Sequence, residues 1–164
     1  MIGAMEGRPI SLVRTIPLRT DAVVRDVRAV LERLAAASAP EIVLGVDLRG
    51  TGRVSVPVSV RLAPPAPASR RFRIAIEARR TPAAFPRFEG ALQLAAAGNG
   101  RSTLILAGRY RVPLGPVGRA FDATIARGVA ASGLSSFLDR VADELLSDVA
   151  QSANAAYSAN RRQV

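Results

Sequence analysis

Between residues 53 and 62 the sequence RVSVPVSVRL sets Val54, Val56, Val58, Val60 and Leu62 at every second position, with Arg53, Ser55, Pro57, Ser59 and Arg61 between them. Successive side chains of a strand point to opposite faces, so this pattern predicts a strand with one dry and one wet side. The parity recurs in RRFRIAIEA (70–78), where Phe72, Ile74 and Ile76 oppose Arg71, Arg73 and Glu77. In RFEGALQL (87–94) Phe88, Gly90, Leu92 and Leu94 oppose Arg87, Glu89 and Gln93. In TLILAGRYRV (103–112) Leu104, Leu106, Gly108, Tyr110 and Val112 oppose Thr103, Arg109 and Arg111. ISLVRTIPL (10–18) and EIVLGVDL (41–48) read as two further strands. RGTG, APPAPAS and AAAGNGRS supply turn residues between them. Alternation this regular predicts an antiparallel sheet with one buried face.

Two segments change period. In DAVVRDVRAVLERLAAA (21–37) Val23, Val27, Val30, Leu31 and Leu34 fall at helical spacing, with Thr20 or Asp21 as the N-cap and Pro40 closing the segment. From Val117 to Val149 the stripe is Val117, Phe121, Ile125, Val129, Leu134, Phe137, Leu138, Val141, Leu145 and Val149. At a rise of about 1.5 Å per residue this second helix would be about 50 Å long, and a bend is expected at Gly128 or Gly133. It is joined to the last strand by GRYRVPLGPVGRAFD (108–122). Pro113 and Pro116 stop either element from running through, and Gly115 and Gly118 let the backbone turn sharply. The helix is thereby swung back across the dry face. The expected architecture is α+β, a curved antiparallel sheet of about six strands wrapped on a long C-terminal helix, in the order β-α-β-β-β-β-β-α. One domain is expected over 8–150, with flexible termini at 1–7 and 151–164.

Composition removes many chemistries. The 164 residues include no Cys and no His, which excludes thiol nucleophiles, disulfides, zinc sites and imidazole acid–base work. No phosphate-loop, dinucleotide or zincin pattern is present, and no cofactor is called for. No apolar run reaches the roughly 20 residues that span a bilayer, and MIGAMEGRPI lacks a signal pattern, so a cytoplasmic protein is expected. The formal net charge is +10 and every basic residue is Arg, as a GC-rich, bacterial genome would encode; the field still attracts anions.

The stretches FPRFEGALQL, GNGRSTLILAGRYRVPLGPVGRAFD and FLDRVADEL, within residues 85–149, resemble the closing half of the START-related helix-grip superfamily (SRPBCC), which includes polyketide cyclase-like and coenzyme Q-binding-like members. The resemblance implies a helix-grip fold, with an apolar cavity between the curled sheet and the long helix. It also implies binding of lipids, polyketides, isoprenoids or similar molecules, a minority of members catalysing cyclisation or dehydration. Two features depart from the pattern: Val23 and Val24 stand where members commonly carry an aromatic, and little more than SAP separates the first helix from the next strand.

The expected cavity wall is Val56, Val58, Ile74, Ile76, Phe88 and Leu92, continued by Leu106 and Tyr110. Gly90 and Gly108 lie on the same face, and Phe121, Ile125, Val129 and Phe137 face it from the helix. The small residues of ARGVAASGLSS (126–136) either let the helix approach the sheet closely or leave room for a ligand, and the two strand glycines carry the same ambiguity. Tyr110 and Arg14 are the candidate polar contacts, each with the alternative of reaching water at the sheet margin. Asp47, Glu77 and Glu89 fall on the wet parity, so no carboxylate serves catalysis inside. The leading expectation is non-enzymatic binding or transport of an apolar small molecule. The second is an interaction module that docks Arg53, Arg61, Arg71, Arg73, Arg87, Arg109 and Arg111 on an anionic membrane or another polyanion. Nucleic acid fits less well, because aromatics are only 4% and the strand Phe residues are on the dry side. A cyclase- or dehydratase-like enzyme using Tyr110 is the third.

Overall fold

The chain begins with strand β1 (Arg8–Ile16) and helix α1 (Thr20–Ala35). Strands β2 (Ile42–Leu48), β3 (Gly52–Leu62), β4 (Arg71–Ala78), β5 (Arg87–Gly98) and β6 (Arg101–Arg111) follow, then helix α2 (Ala123–Arg161). These elements belong to a computed structural model that describes residues 7–36, 42–48, 52–64, 69–80, 86–111 and 123–161. The six strands form one antiparallel sheet in the order β1-β6-β5-β4-β3-β2. It is a meander from β2 to β6, with β1 added beside β6, and it curls into a half-barrel against α2. Both the α+β class and the element order are those expected.

Register follows from parity. Ile76 lies opposite Phe88, Phe88 opposite Tyr110, and Leu92 opposite both Phe72 and Leu106. Each pair stacks apolar side chains on the inner face, where a slip of one residue would expose the whole set. The β5–β6 hairpin is pinned by Asn99 and Gly100, both at positive φ (49° and 71°), between the paired Gly98 and Arg101. That is the geometry an Asn-Gly turn favours.

α1 buries Val23, Val27, Val30 and Leu31 completely. Neither candidate serves as its N-cap. Arg19 holds the cap position without a side-chain bond, and the Thr20 hydroxyl instead meets the Ser102 hydroxyl at 3.0 Å. Ser102, itself fully buried, donates to the Leu18 carbonyl at 2.6 Å and so ties the start of β6 to the start of α1. At the other end Arg33 reaches Asp148 of α2 at 2.8 Å and Glu144 at 3.5 Å. The hydrogen bond to Asp148, with the two negative charges, holds the Arg33 guanidinium above its ordinary pKa, so it stays charged.

α2 runs unbroken to Arg161, so neither Gly128 nor Gly133 interrupts it, and residues 151–161, expected to lie outside the domain, are helical. The sheet leaves β1 and β2 as its two edges, and α2 packs against both. Against β2 it satisfies open backbone: Gly45 N–H donates to the Ser136 hydroxyl at 3.1 Å, and the Ser132 hydroxyl donates to the Gly45 carbonyl at 3.4 Å. A bare edge strand invites pairing with another chain, and here the helix covers it. Against β1, Arg14 pairs with Asp139 of α2 at 3.3 Å. Among the described residues no helix is long and apolar enough to cross a membrane.

Candidate functional site: a cavity between the sheet and the first turns of helix α2

Among the described residues the buried apolar side chains form two clusters. The larger runs through both helices and most of the sheet, including Phe72, Leu92, Leu106 and Phe137. The smaller is Tyr110 with Ala126 and Ala130 of α2, against which Ile10 packs. Where the core divides lies a cavity of about 40 Å³, partly open to solvent. Its wall comes from the middle of β2 and β3 (Leu44, Val46, Val56, Val58), the end of β4 (Ile76, Glu77, Ala78) and the start of β5 (Pro86, Phe88). Tyr110 near the end of β6 and Val129, Ala130, Gly133 and Leu134 of α2 complete it. On this wall α2 presents Ala130 and Gly133, whose small side chains leave space that a Leu or Phe there would fill.

Of the expected wall, Val56, Val58, Ile76, Phe88, Tyr110 and Val129 border this cavity. Ile74, Leu92, Leu106 and Phe137 are as deeply buried but belong to the packed core beyond it. Ile125 does not face inward: it is 39% exposed, while its neighbour Ala126 is fully buried against Tyr110. An i, i+4 series drifts about 40° around the helix at each step, so a stripe extrapolated back from Val129 leaves the true inner face by Ile125. Phe121 lies outside the described residues, as does the whole hinge with Pro113, Gly115, Pro116 and Gly118.

Gly90 and Gly108 do not widen the cavity. They face each other across β5 and β6. A Cβ on Gly90 would run into the Ala107 carbonyl oxygen and Gly108 Cα, and one on Gly108 would meet the Glu89 carbonyl oxygen and Gly90 Cα. The Phe88 ring closes over the pair, within 2.6 Å of the Gly90 Cβ position. The glycines serve close backbone approach, and an aromatic ring covers the gap they leave.

Arg14 is likewise not at the cavity. Its pairing with Asp139, at 54% and 46% side-chain exposure, is the snorkelling alternative. Tyr110 is the reverse case. It does not reach bulk water from a strand end; it is 2% exposed and borders the cavity. Among the described residues its hydroxyl has no hydrogen-bond partner. Glu77 also borders the cavity, but its carboxylate turns outward to Arg61 (3.2 Å) and Arg87 (3.8 Å). Apart from Tyr110 and Glu77, the described wall carries no polar side chain. No group of three or more His, Cys, Asp or Glu that could hold a metal occurs among the described residues.

The small residues of 126–136 turn out to have two uses. Ala126 and Ala130 border or flank the cavity, whereas Ser132 and Ser136 bring the helix onto the β2 edge. Gly133 does both, for a Cβ there would lie 3.5 Å from Val46 Cγ2. Leu44 and Val46 were not among the expected wall residues. Their alternation in EIVLGVDL puts them on the dry face, but only the curl of the sheet brings β2 over α2.

The outer face of the sheet carries Arg53, Arg61, Arg71, Arg73, Arg87, Arg109 and Arg111. Arg61 and Arg87 share Glu77, Arg87 also meets Glu89 at 2.7 Å, and Arg111 reaches Glu89 at 3.8 Å. Arg109 donates to the Gly7 carbonyl at 3.2 Å, and Arg53 lies across Gly45. Among the described residues the Arg71 and Arg73 guanidinium groups have no acidic partner.

Compared with models of protein families and with curated proteins, the sequence matches none. Its structure is similar to that of the Zhui aromatase/cyclase from Streptomyces sp. R1128, at TM-score 0.57 and 15% identity over 88% of this chain and 96% of that one. It is also similar to a conserved protein from Geobacillus kaustophilus, at TM-score 0.55 and 13% identity over 85% of this chain and 95% of that one. At this identity the likeness is one of fold.

Proposed function

We propose, from the START-type helix-grip fold of this chain, that it binds an apolar small molecule between the sheet and the first turns of α2. The observation that carries this reading is the cavity between the two buried clusters, whose described wall is apolar except for Tyr110 and Glu77. Burial of apolar ligand surface in such a site is favourable at about 25 cal/mol per Å². The cavity is about 40 Å³, space for a few waters. An apolar cavity that takes up benzene measures about 150 Å³. A benzene-sized ligand therefore requires the wall to give way between the sheet and α2.

Carriage suits the site better than catalysis. General acid–base chemistry needs a titratable group within hydrogen-bond reach of the bound molecule. The Glu77 carboxylate is engaged outside the cavity, which leaves, among the described wall residues, the Tyr110 hydroxyl. The testing experiment is native mass spectrometry of freshly purified protein, compared with its denatured mass and an organic extract. A released apolar molecule is the expected result; a clean apo mass together with no uptake of added apolar probes overturns the reading.

A second reading, docking of the outer face on an anionic membrane, is favoured by Arg71 and Arg73, which stand two residues apart on β4 without a neutralising carboxylate among the described residues. The described aromatic side chains are all buried, so base stacking finds no platform on that face. Flotation with anionic liposomes should then fall at high salt and with Arg71→Ser/Arg73→Ser. Flotation indifferent to lipid charge and salt removes it.

A further inference from the structure

We infer that the Tyr110 hydroxyl is the polar anchor of the cavity, and that the molecule bound there is neutral, apolar and carries one hydrogen-bonding oxygen where it meets this residue. The inference rests on the cavity being a ligand site and narrows what it accepts.

Tyr110 is among the largest fully buried side chains of the protein, at 2% exposure. Its place is set by β6, whose register puts it between Phe88 of β5 and Arg8 of β1, and by Ala126 and Ala130 pressing on it from α2. Buried hydroxyls are almost always paired, and leaving one unpaired is costly. No hydrogen bond to this hydroxyl forms among the described residues, yet no described buried side-chain oxygen or nitrogen is cut off from both partners and free space. Tyr110 borders the cavity, so a hydroxyl without a described partner stands where a bound molecule can meet it. The other buried polar side chains described are paired within the protein: the Thr20 and Ser102 hydroxyls meet each other, and Ser102 donates to the Leu18 carbonyl. Tyr110 is left available.

The charge of the wall decides the class of ligand. A carboxylate or phosphate brought here would be stripped of water without a cation among the described wall residues to meet it, for no described Arg lines the cavity and Arg61 and Arg87 are paired with Glu77. An ammonium would fare no better, because the Glu77 carboxylate is spent on those same arginines. A hydroxyl or carbonyl oxygen needs one partner, and the described wall supplies it in Tyr110. An oxygen-free hydrocarbon would leave the Tyr110 hydroxyl unpaired after displacing any water held there.

The test uses three probes of one shape, naphthalene, 2-acetylnaphthalene and 2-naphthoate, titrated against the full chain and its Tyr110→Phe variant by ligand-observed NMR. The wild type is expected to bind the ketone three- to tenfold tighter than naphthalene, the size of one neutral hydrogen bond in a buried site. The naphthoate should bind weakest, and Tyr110→Phe should erase the preference for the ketone while keeping affinity for naphthalene. The ratio within the wild type stands even if the variant fails to fold. Equal affinity for ketone and hydrocarbon, or tightest binding of the naphthoate, overturns the anchor while leaving the cavity reading in place. No binding of any probe overturns both.

Discussion

Replacing Gly133 by alanine should make the protein more stable and its cavity less receptive. Gly133 is buried in the interior of α2, and the Cβ that alanine adds would sit 3.5 Å from Val46 Cγ2, an ordinary van der Waals contact. Removing a mid-helix glycine recovers about 1 kcal/mol, mainly by restricting the unfolded chain. The new methyl projects beside the cavity of about 40 Å³, and burying it adds up to about 0.8 kcal/mol. The expected gain is thus about 1 to 2 kcal/mol, which in a domain of this size raises Tm by about 2–4 °C per kcal/mol. Urea denaturation should show a higher midpoint with an unchanged slope, since the exposed surface on unfolding hardly alters. Any apolar probe that binds the wild type should bind the variant more weakly. A loss of stability of about 1 kcal/mol or more would refute the reasoning, because it is the signature of overpacking and would mean that the space beside Val46 does not exist in solution.

The same change at Gly90 carries the opposite sign. Its methyl would strike the Ala107 carbonyl and Gly108 Cα, backbone that cannot yield without breaking the β5–β6 pairing, so a loss of about 2 kcal/mol or more is expected in the same denaturation assay. An unchanged midpoint would show that the two strands are not so closely apposed. Ser136→Ala strips the Gly45 N–H of its partner on the β2 edge, at a cost of about 1 kcal/mol, and should raise hydrogen exchange of that amide selectively; unchanged protection at Gly45 would remove the edge-capping role. Ser102→Ala leaves both the Thr20 hydroxyl and the Leu18 carbonyl short of a partner inside the protein, with a loss of about 1–3 kcal/mol in thermal or urea unfolding; a near-neutral result would mean that water replaces the serine.

The alternation of Val56, Val58 and Val60, of Phe72, Ile74 and Ile76, and of Leu104 and Leu106 already names the buried face of each strand, because strand periodicity is a property of the local backbone. The Asn-Gly turn, the order of elements and the amphipathic α1 are local in the same sense. What the pattern along the chain cannot carry is depth and distance between elements. Ile74 and Ile76 share a face and a strand, yet the second borders the cavity and the first does not. Gly90 and Gly133 are both glycines on inner faces; one is hemmed in by facing backbone and the other stands beside space, a difference made by the β5–β6 pairing and by the approach of α2 to β2. Arg14 and Tyr110 were alike as polar residues on the dry parity. Asp139, 125 positions further along the chain, draws one outward, and Ala126 and Ala130 shut the other in. The class, the strand faces and the poverty of reactive groups were thus settled by the sequence alone. The cavity, the Tyr110 hydroxyl at it and the covered edge at Gly45 were settled only when segments as far apart as Gly45 and Ser136 came into contact, because a void and a hydrogen bond are properties of the surfaces that meet and not of either one alone.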